Sequence, residues 1–174
     1  KLLHGAHVPH RKNTADCTPK RMPVEAGTLL TIPVSMNIGA PSEAVVKVND
    51  MVKVGQLIAE PGGFVSSPIY SGVSGKVKKL EPHLSSNGRS CTAIVIESDG
   101  EMRLWEGIEP PVVETKEDLI KAVRASGLVG LGGAGFPSHV KFALSPDKPI
   151  DTIVVNAAEC EPHITVDYRE CLDN

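Results

Sequence analysis

The stretch Gly127-Leu-Val-Gly-Leu-Gly-Gly-Ala-Gly-Phe-Pro-Ser-His-Val-Lys141 decides how the second half of this chain is read. Five glycines fall within nine residues, followed by Phe136, Pro137 and, four residues on, Lys141. Glycine adds no side chain to a core and loses more backbone freedom on ordering than any other residue. Packing therefore gives no reason for such density. Glycine does let backbone approach a ligand closely with its N–H groups free, and phosphate is the commonest partner of such groups. Pro137 suits a helix start, because its missing N–H is one that the first turn leaves unpaired anyway. The expectation is a glycine loop feeding a helix N-terminus, with Lys141 one turn in as a cation near an anion. The plainer alternative is a tight surface turn.

Gly130-Leu-Gly132-Gly133-Ala-Gly135 fits the G-x-G-x-x-G pattern, with Asp151 downstream. That fingerprint belongs to a loop preceded by a strand. Here the preceding segment, Lys116-Glu-Asp-Leu-Ile-Lys-Ala-Val-Arg-Ala-Ser126, places Leu119, Ile120 and Val123 on one face of a helix. Gly127 then falls where a helix C-terminal glycine belongs. The order helix, glycine loop, helix, strand is not a dinucleotide Rossmann unit. The Walker pattern fails as well, because Phe136 stands where its lysine is required.

The 174 residues carry a formal net charge of −3, with 41% hydrophobic and 3% aromatic residues. That length supports one or two small globular units. The near-neutral balance argues against a nucleic-acid partner, which would call for a basic stripe. No apolar run is long enough to span a bilayer and the start has no signal-peptide pattern, so contact with a membrane is expected through a partner. Cys17, Cys91, Cys160 and Cys171 form no C-x-x-C pair, which argues against a zinc or iron–sulfur site held by this chain. Their plain reading is four reduced thiols. His4, His7 and His10 recur every third residue, but with Pro9 beside them and no further ligand in view they read as part of an extended arm. No metal site is expected.

Working backward from the glycine stretch, residues 28–97 change to short β-branched runs separated by Gly, Pro, Asn and Asp. The expected strands are Leu29-Leu-Thr-Ile32, Glu43-Ala-Val-Val-Lys-Val48, Asn49 through Ala59, Ser67-Pro-Ile-Tyr-Ser-Gly72, Val73-Ser-Gly-Lys-Val77 and Thr92-Ala-Ile-Val-Ile-Glu97. An all-β unit of this size closes its edges as a small barrel or sandwich. Val48-Asn-Asp-Met-Val-Lys-Val-Gly-Gln-Leu57 and Ser67-Pro-Ile-Tyr-Ser-Gly-Val-Ser-Gly-Lys-Val77 resemble a biotinyl/lipoyl-type barrel-sandwich hybrid. Those domains attach a swinging cofactor to a hairpin lysine, and no lysine lies between Lys53 and Lys76. The resemblance therefore implies the fold without the carrier function.

Glu109-Pro-Pro111 reads as a linker. Past it, Thr152-Ile-Val-Val-Asn156 reads as a short buried strand of a parallel sheet, ending in Asn156-Ala-Ala-Glu-Cys-Glu-Pro162. Ligands of open α/β sheets bind at the carboxyl ends of strands, so Asn156, Glu159 and Glu161 become candidates. Two close carboxylates also fit acid–base work or a metal, or simply solvated acids on a loop. The domain reading is an arm at 1–27, a barrel-sandwich hybrid at 28–105, a linker at 106–114 and the start of an α/β flavin-type domain at 115–174. The chain stops soon after what reads as the beginning of another helix, and a fragment of a longer protein is expected.

The glycine stretch together with residues 156–162 resembles the flavin- and NADH-binding subunit of respiratory complex I, and more closely the RnfC family of Rnf electron-transport complexes. His7-Val-Pro-His-Arg-Lys12 and Ile32-Pro-Val-Ser-Met-Asn-Ile-Gly-Ala-Pro41 carry the RnfC likeness into the first half. The resemblance implies FMN in the glycine cradle, with Gly130, Gly132, Gly133 and Gly135 admitting the phosphate and ring and Lys141 neutralising the phosphate or bonding the flavin. It implies that Asn156 and Glu159 contact the flavin, that Phe136 stacks on NADH, and that Glu161 lies near the dinucleotide. Leu131 stands where the complex I pattern has arginine, Ala158 where it has an acid, Cys160 where it has glycine and Leu144 where it has an aromatic.

The function so implied is electron input to a membrane-associated, ion-translocating NADH:ferredoxin oxidoreductase complex. Hydride passes from NADH to FMN, and electrons move on to [4Fe–4S] clusters in a C-terminal part not contained in this sequence. No residue of the chain is singled out as a catalytic group, and the fragment alone is expected to be inactive. The implied partners are other subunits of the complex and a ferredoxin-type protein, at the cytoplasmic face of a bacterial membrane. The alternatives are an electron-transfer subunit of a cobalamin or amino-acid reductase, or a non-catalytic docking module.

Overall fold

The computed structural model describes residues 8–20, 22–85, 88–131, 133–144, 151–152, 154, 156 and 159–173. The elements in chain order are β1 (Leu29–Pro33), β2 (Glu43–Ala44), β3 (Met51–Val52), β4 (Leu57–Glu60), β5 (Ile69–Tyr70), β6 (Gly75–Leu84), β7 (Ser90–Ser98), α1 (Lys116–Ala125), α2 (Ser138–Phe142) and α3 (Val166–Asp173). They fall into two compact units, one of residues Pro23–Lys148 and one that joins Lys1–Met22 to Pro149–Asn174.

In the larger unit the β-branched runs build two antiparallel sheets, ordered β1-β7-β6-β3 and β2-β4-β5. The strand Ser90–Ser98 is their centre. Ala93, Ile94, Val95 and Ile96 are all buried, so this strand is covered on both faces rather than alternating. Ile94 pairs with Ile32 and Leu80, and Ile96 pairs with Leu30 and Val77. These isoleucines join Val52, Ile58, Val73 and Val77 in one core cluster. Complete burial of an isoleucine side chain contributes about 2 kcal/mol by area removed from water.

The observed strands differ from the expected ones in two places, each with a local cause. The run from Asn49 to Ala59 is two strands, not one, because the backbone N–H of Gln56 bonds Lys53 O at 3.0 Å and the Gln56 side chain accepts from Lys53 N at 3.0 Å. That turn breaks the run. The strand expected to end at Val77 instead continues to Leu84, after a bulge between Val77 and Lys79. The bulge shifts the register, and the residues beyond it lose the buried alternation that marked the first part. Pro82 is accommodated there, past the short segment in which β6 also pairs with β3.

α1 starts on a capping box. The Thr115 hydroxyl accepts from Asp118 N, and the Asp118 carboxylate accepts from Thr115 N. The helix ends as the glycine stretch requires, with Ser126 as C-cap and Gly127 at φ +72°. Its C-terminal turn is fastened to the barrel. The Tyr70 hydroxyl donates to Ala125 O, and Arg124 donates to Gly63 O at 3.1 Å.

In the smaller unit the arm is stitched to the C-terminal segment. Arg11 N donates to Pro162 O at 3.2 Å, and Thr14 shares a 2.7 Å hydroxyl contact with the buried Thr165. The expected strand over Thr152-Ile-Val-Val-Asn156 is not seen at its described residues. Thr152, Val154 and Asn156 have no strand conformation, and Val154 is 87% exposed. Ile153 and Val155 lie outside the described residues, as do His4, His7 and Ala158. No helix among the described residues is long and apolar enough to cross a membrane.

Candidate functional site

The glycine stretch folds into a closed loop between α1 and α2. Ser138 N donates to Leu128 O at 3.0 Å and Gly130 N donates to Phe136 O at 3.0 Å, so the ends of the loop are zipped together by an antiparallel bridge between Val129 and Pro137. Pro137 sits one place earlier than expected, as the N-cap of α2 rather than its first residue. α2 has only five residues, too few to build much of a helix dipole. The loop's affinity for an anion must then come chiefly from its own backbone N–H groups.

The glycines separate by cause. Gly135 has φ +66°, and a Cβ there would lie 2.9 Å from Met36 O. Gly127 has φ +72°, and its Cβ would lie 3.0 Å from Pro68 O. The fold itself demands glycine at both. Gly130 and Gly133 are different: neither has positive φ, a Cβ at Gly130 would make only ordinary contacts, and a Cβ at Gly133 would meet nothing within 4 Å. Both line a cleft of about 400 Å³. Gly132 lies outside the described residues.

One side of this cleft is the loop, at residues 129–131 and 133–135. The other is the segment after β1, at residues 35–38, with Ser85 at the margin. Ile38 N donates to Gly135 O at 3.2 Å and ties the two sides together. Phe136 is half-buried behind the loop and does not line the cleft. Lys141 is exposed on α2, has no hydrogen bond or ion pair among the described residues, and is not on the cleft wall.

Beneath the loop lies a residue that no motif in the sequence marks. His139 is 1% exposed, its Nε2 lies 2.9 Å from Phe64 O, and its ring meets the Phe64 ring edge-on at 5.6 Å. It anchors α2 to the connection between β4 and β5.

Asn156, Glu159 and Glu161 belong to the smaller unit. One Glu159 carboxylate oxygen accepts from Lys12 Nζ at 2.8 Å, and the other accepts from Asp167 N at 3.1 Å and Tyr168 N at 3.4 Å. Glu159 thus caps the N-terminus of α3. The Lys12 ammonium holds its carboxyl below the usual glutamate range. Partial burial opposes that, and the two α3 amides reinforce it. Lys12 also donates to Glu161 O at 3.0 Å and Ile164 O at 2.6 Å, which occupies all three ammonium protons. The Glu161 side chain is exposed, as is Asn156. The engagement of Lys12 carries no signal in the sequence, where the arm has no periodicity. Residues 35–38 carry part of the family likeness, but nothing in their chemistry singles them out as a wall.

Among the described residues no cluster of His, Cys, Asp and Glu could hold a metal ion, and the four cysteines are free. Residues 1–101 match the RnfC barrel sandwich hybrid domain, and residues 123–174 match the Nuo51 FMN-binding domain. The chain is 42% identical over 171 residues to the RnfC subunit of the Na+-translocating ferredoxin:NAD+ oxidoreductase complex of Acetobacterium woodii, which covers 95% of this chain and 38% of that protein. It is 47% identical over 147 residues to the corresponding subunit of the proton-translocating ferredoxin:NAD+ oxidoreductase complex of Clostridium ljungdahlii, covering 82% of this chain and 32% of that one. The corresponding subunit of the ion-translocating oxidoreductase complex of Klebsiella pneumoniae is 39% identical over 169 residues, covering 95% and 22%. The chain thus spans less than two fifths of the length of these curated relatives.

Proposed function

Because the chain belongs to the RnfC family, we propose that it is the electron-input part of the RnfC subunit of an ion-translocating ferredoxin:NAD+ oxidoreductase complex of the Rnf type. The observation that carries this reading is the pair Gly130 and Gly133. Both line the cleft, and neither the backbone nor its neighbours require glycine there. A ligand that comes against the backbone explains what the fold does not. The match of residues 123–174 to an FMN-binding domain gives that ligand its identity.

FMN, when bound, supplies hydride acceptance from NADH and release of single electrons to iron–sulfur clusters. The residues of this chain hold and orient. Gly130, Gly132, Gly133 and Gly135 bring the loop backbone against the flavin. Lys141, which has no competing partner among the described residues, offers a cation to the phosphate. Asn156 and Glu159 are assigned to the flavin, and Phe136 and Glu161 to the dinucleotide. The engaged state of Glu159 gives its carboxylate a fixed position and charge, which a contact tuned to a redox ring requires. Leu131, 93% exposed, leaves the loop tip without a cation of its own. The domains are read as an arm at 1–27, a barrel at 28–105, a linker at 106–114 and the flavin-binding half from 115. The clusters belong to the remainder of the full-length protein, which sits peripherally at the cytoplasmic face against its membrane partners.

The test is reconstitution of the full-length protein with FMN. The expected result is stoichiometric flavin uptake and NADH oxidation with an artificial electron acceptor. A full-length protein that takes up no flavin and oxidises no NADH overturns the proposal.

A further inference from the structure

The barrel is more than a support for the flavin loop. We propose that the segment after β1, with Met36 and Ile38 at its centre, forms the second wall of the cofactor cleft, and that this wall meets the uncharged flavin ring and not the phosphate. The inference rests on the flavin reading above and names the part of the ligand that each side of the cleft receives.

Three observations carry it. The wall and the loop are held as one piece: Ile38 N donates to Gly135 O at 3.2 Å, and Met36 O comes so near Gly135 that a Cβ would stand only 2.9 Å away. The cleft between them, about 400 Å³, falls within the ~300–1,000 Å³ range of small-ligand sites. Second, the described lining contains no charged side chain. A phosphate dianion placed there would have backbone N–H groups but no cation. A neutral ring needs none. Third, the apolar side chains at this cleft are uncovered: Met36 is 50% exposed, Ile38 48% and Leu131 93%. A flat heteroaromatic ring laid between them would remove that surface from water. Polar groups are few and placed to orient. Asn37 Nδ2 donates to Ile38 O at 3.0 Å, which leaves its side-chain oxygen as an acceptor for a ring N–H.

The two matched segments, 1–101 and 123–174, each contribute one side of this cleft. The barrel would thereby determine which ring the loop accepts, a role that the loop alone does not perform.

The experiment uses the full-length protein, stripped of flavin, and titrates it with FMN and with lumiflavin, which has the ring but no ribityl phosphate. Ile38→Asp and Met36→Asp place a carboxylate on the wall at half-exposed positions where the fold has little at stake, and thermal melts check that each variant is folded. Expected is a weakening of about tenfold or more, by the same factor for FMN and lumiflavin, with Ile38→Leu close to native. Weakening of FMN alone places the phosphate at this wall and overturns the proposal. Unchanged affinity for both ligands overturns it too, as does a native protein that binds FMN but no lumiflavin. A native protein that binds neither overturns the flavin reading itself, and the wall with it.

Discussion

Lys12 Nζ lies 2.8 Å from Glu159 Oε2, across 147 residues of sequence. The side chain of Glu159 is only 9% exposed and that of Lys12 30%, so the pair is sheltered more than a surface contact would be. Through the other carboxylate oxygen the pair is continuous with the first turn of α3. The arm therefore sets both the charge and the position of an acid proposed to touch the flavin.

Lys12→Met is expected to return the Glu159 carboxyl toward the ordinary glutamate range, since the lysine hydrogen bond is the largest cause of its depression. The sign follows. A carboxyl whose folded value is lowered contributes its stability fully above the unfolded value, near 4.3, and loses it as pH falls through the folded value. The contribution of the pair is thus complete at neutral pH and is lost on acidification below about 4. Carbon-detected NMR titration of Glu159 and hydrogen exchange of the Asp167 and Tyr168 amides measure both ends. Native titration and native exchange in Lys12→Met would remove the arm from this role.

Gly135→Ala and Gly133→Ala are expected to behave oppositely. At Gly135 the left-handed φ and the approach of Met36 O make alanine cost about 1–3 kcal/mol. At Gly133 the space is open and φ is not positive, so stability should stay within about 0.5 kcal/mol. FMN affinity, in contrast, should fall with Gly133→Ala, because the added methyl stands on the cleft wall. Denaturant melts and flavin titration separate the two. Equal stability losses with unchanged flavin binding would make the glycines purely architectural.

The corner after β7 gives an acid-sensitive site of another kind. Asp99 accepts from the buried Ser74 hydroxyl at 2.6 Å, from Glu101 N at 2.9 Å and from Arg103 at 2.6 Å. The Ser74 hydrogen bond leads the causes that hold its carboxyl down at about 2. Its stabilisation is present above the unfolded value near 3.9 and is lost as pH falls through about 2. Asp99→Asn should flatten the dependence of the melting temperature on pH between about 4 and 2 relative to the native chain. A slope equal to native in that window would show that Asp99 contributes nothing there.

The parts of this architecture that are legible in sequence are those decided locally. Gly127 ends α1 where a left-handed residue is expected, and the β-branched runs at Leu29 and Thr92 form β1 and β7. What escapes is decided by partners far along the chain. β6 passes its expected end because β7 continues to pair with it as far as Ser90, a fact absent from its own alternation. Asn49 to Ala59 carries one continuous pattern, but a side-chain-closed turn at Gln56 divides it. Glycine density alone reads as ligand chemistry throughout the loop. In the folded chain Gly127 and Gly135 answer to packing, and only Gly130 and Gly133 among the described glycines of the loop are left without a structural cause. Lys12 is unreadable for the plainest reason: its acceptors lie at the other end of the sequence.

The connection between β4 and β5, which in a carrier domain would present a lysine, is committed here to holding α2. Ser66 is fully buried and bonds Ala40 O at 2.8 Å, while Phe64 presents its carbonyl and its ring to His139. His139→Ala removes a hydrogen bond, an edge-on aromatic contact and buried volume at once, and should cost about 2–4 kcal/mol. His139→Phe keeps the ring contact but leaves Phe64 O without this partner, so a smaller loss is expected. Phe64→Ala, at a side chain 57% exposed, should cost about 1 kcal/mol, because the carbonyl that receives His139 remains. Since α2 closes the glycine loop through Ser138 N and Leu128 O, the histidine variants should also raise amide exchange at Ser138 and Gly130. Denaturant titration of the four proteins gives the order native, Phe64→Ala, His139→Phe, His139→Ala. A His139→Ala protein as stable as native, with protected loop amides, would mean that the loop is held by its own zipped ends alone.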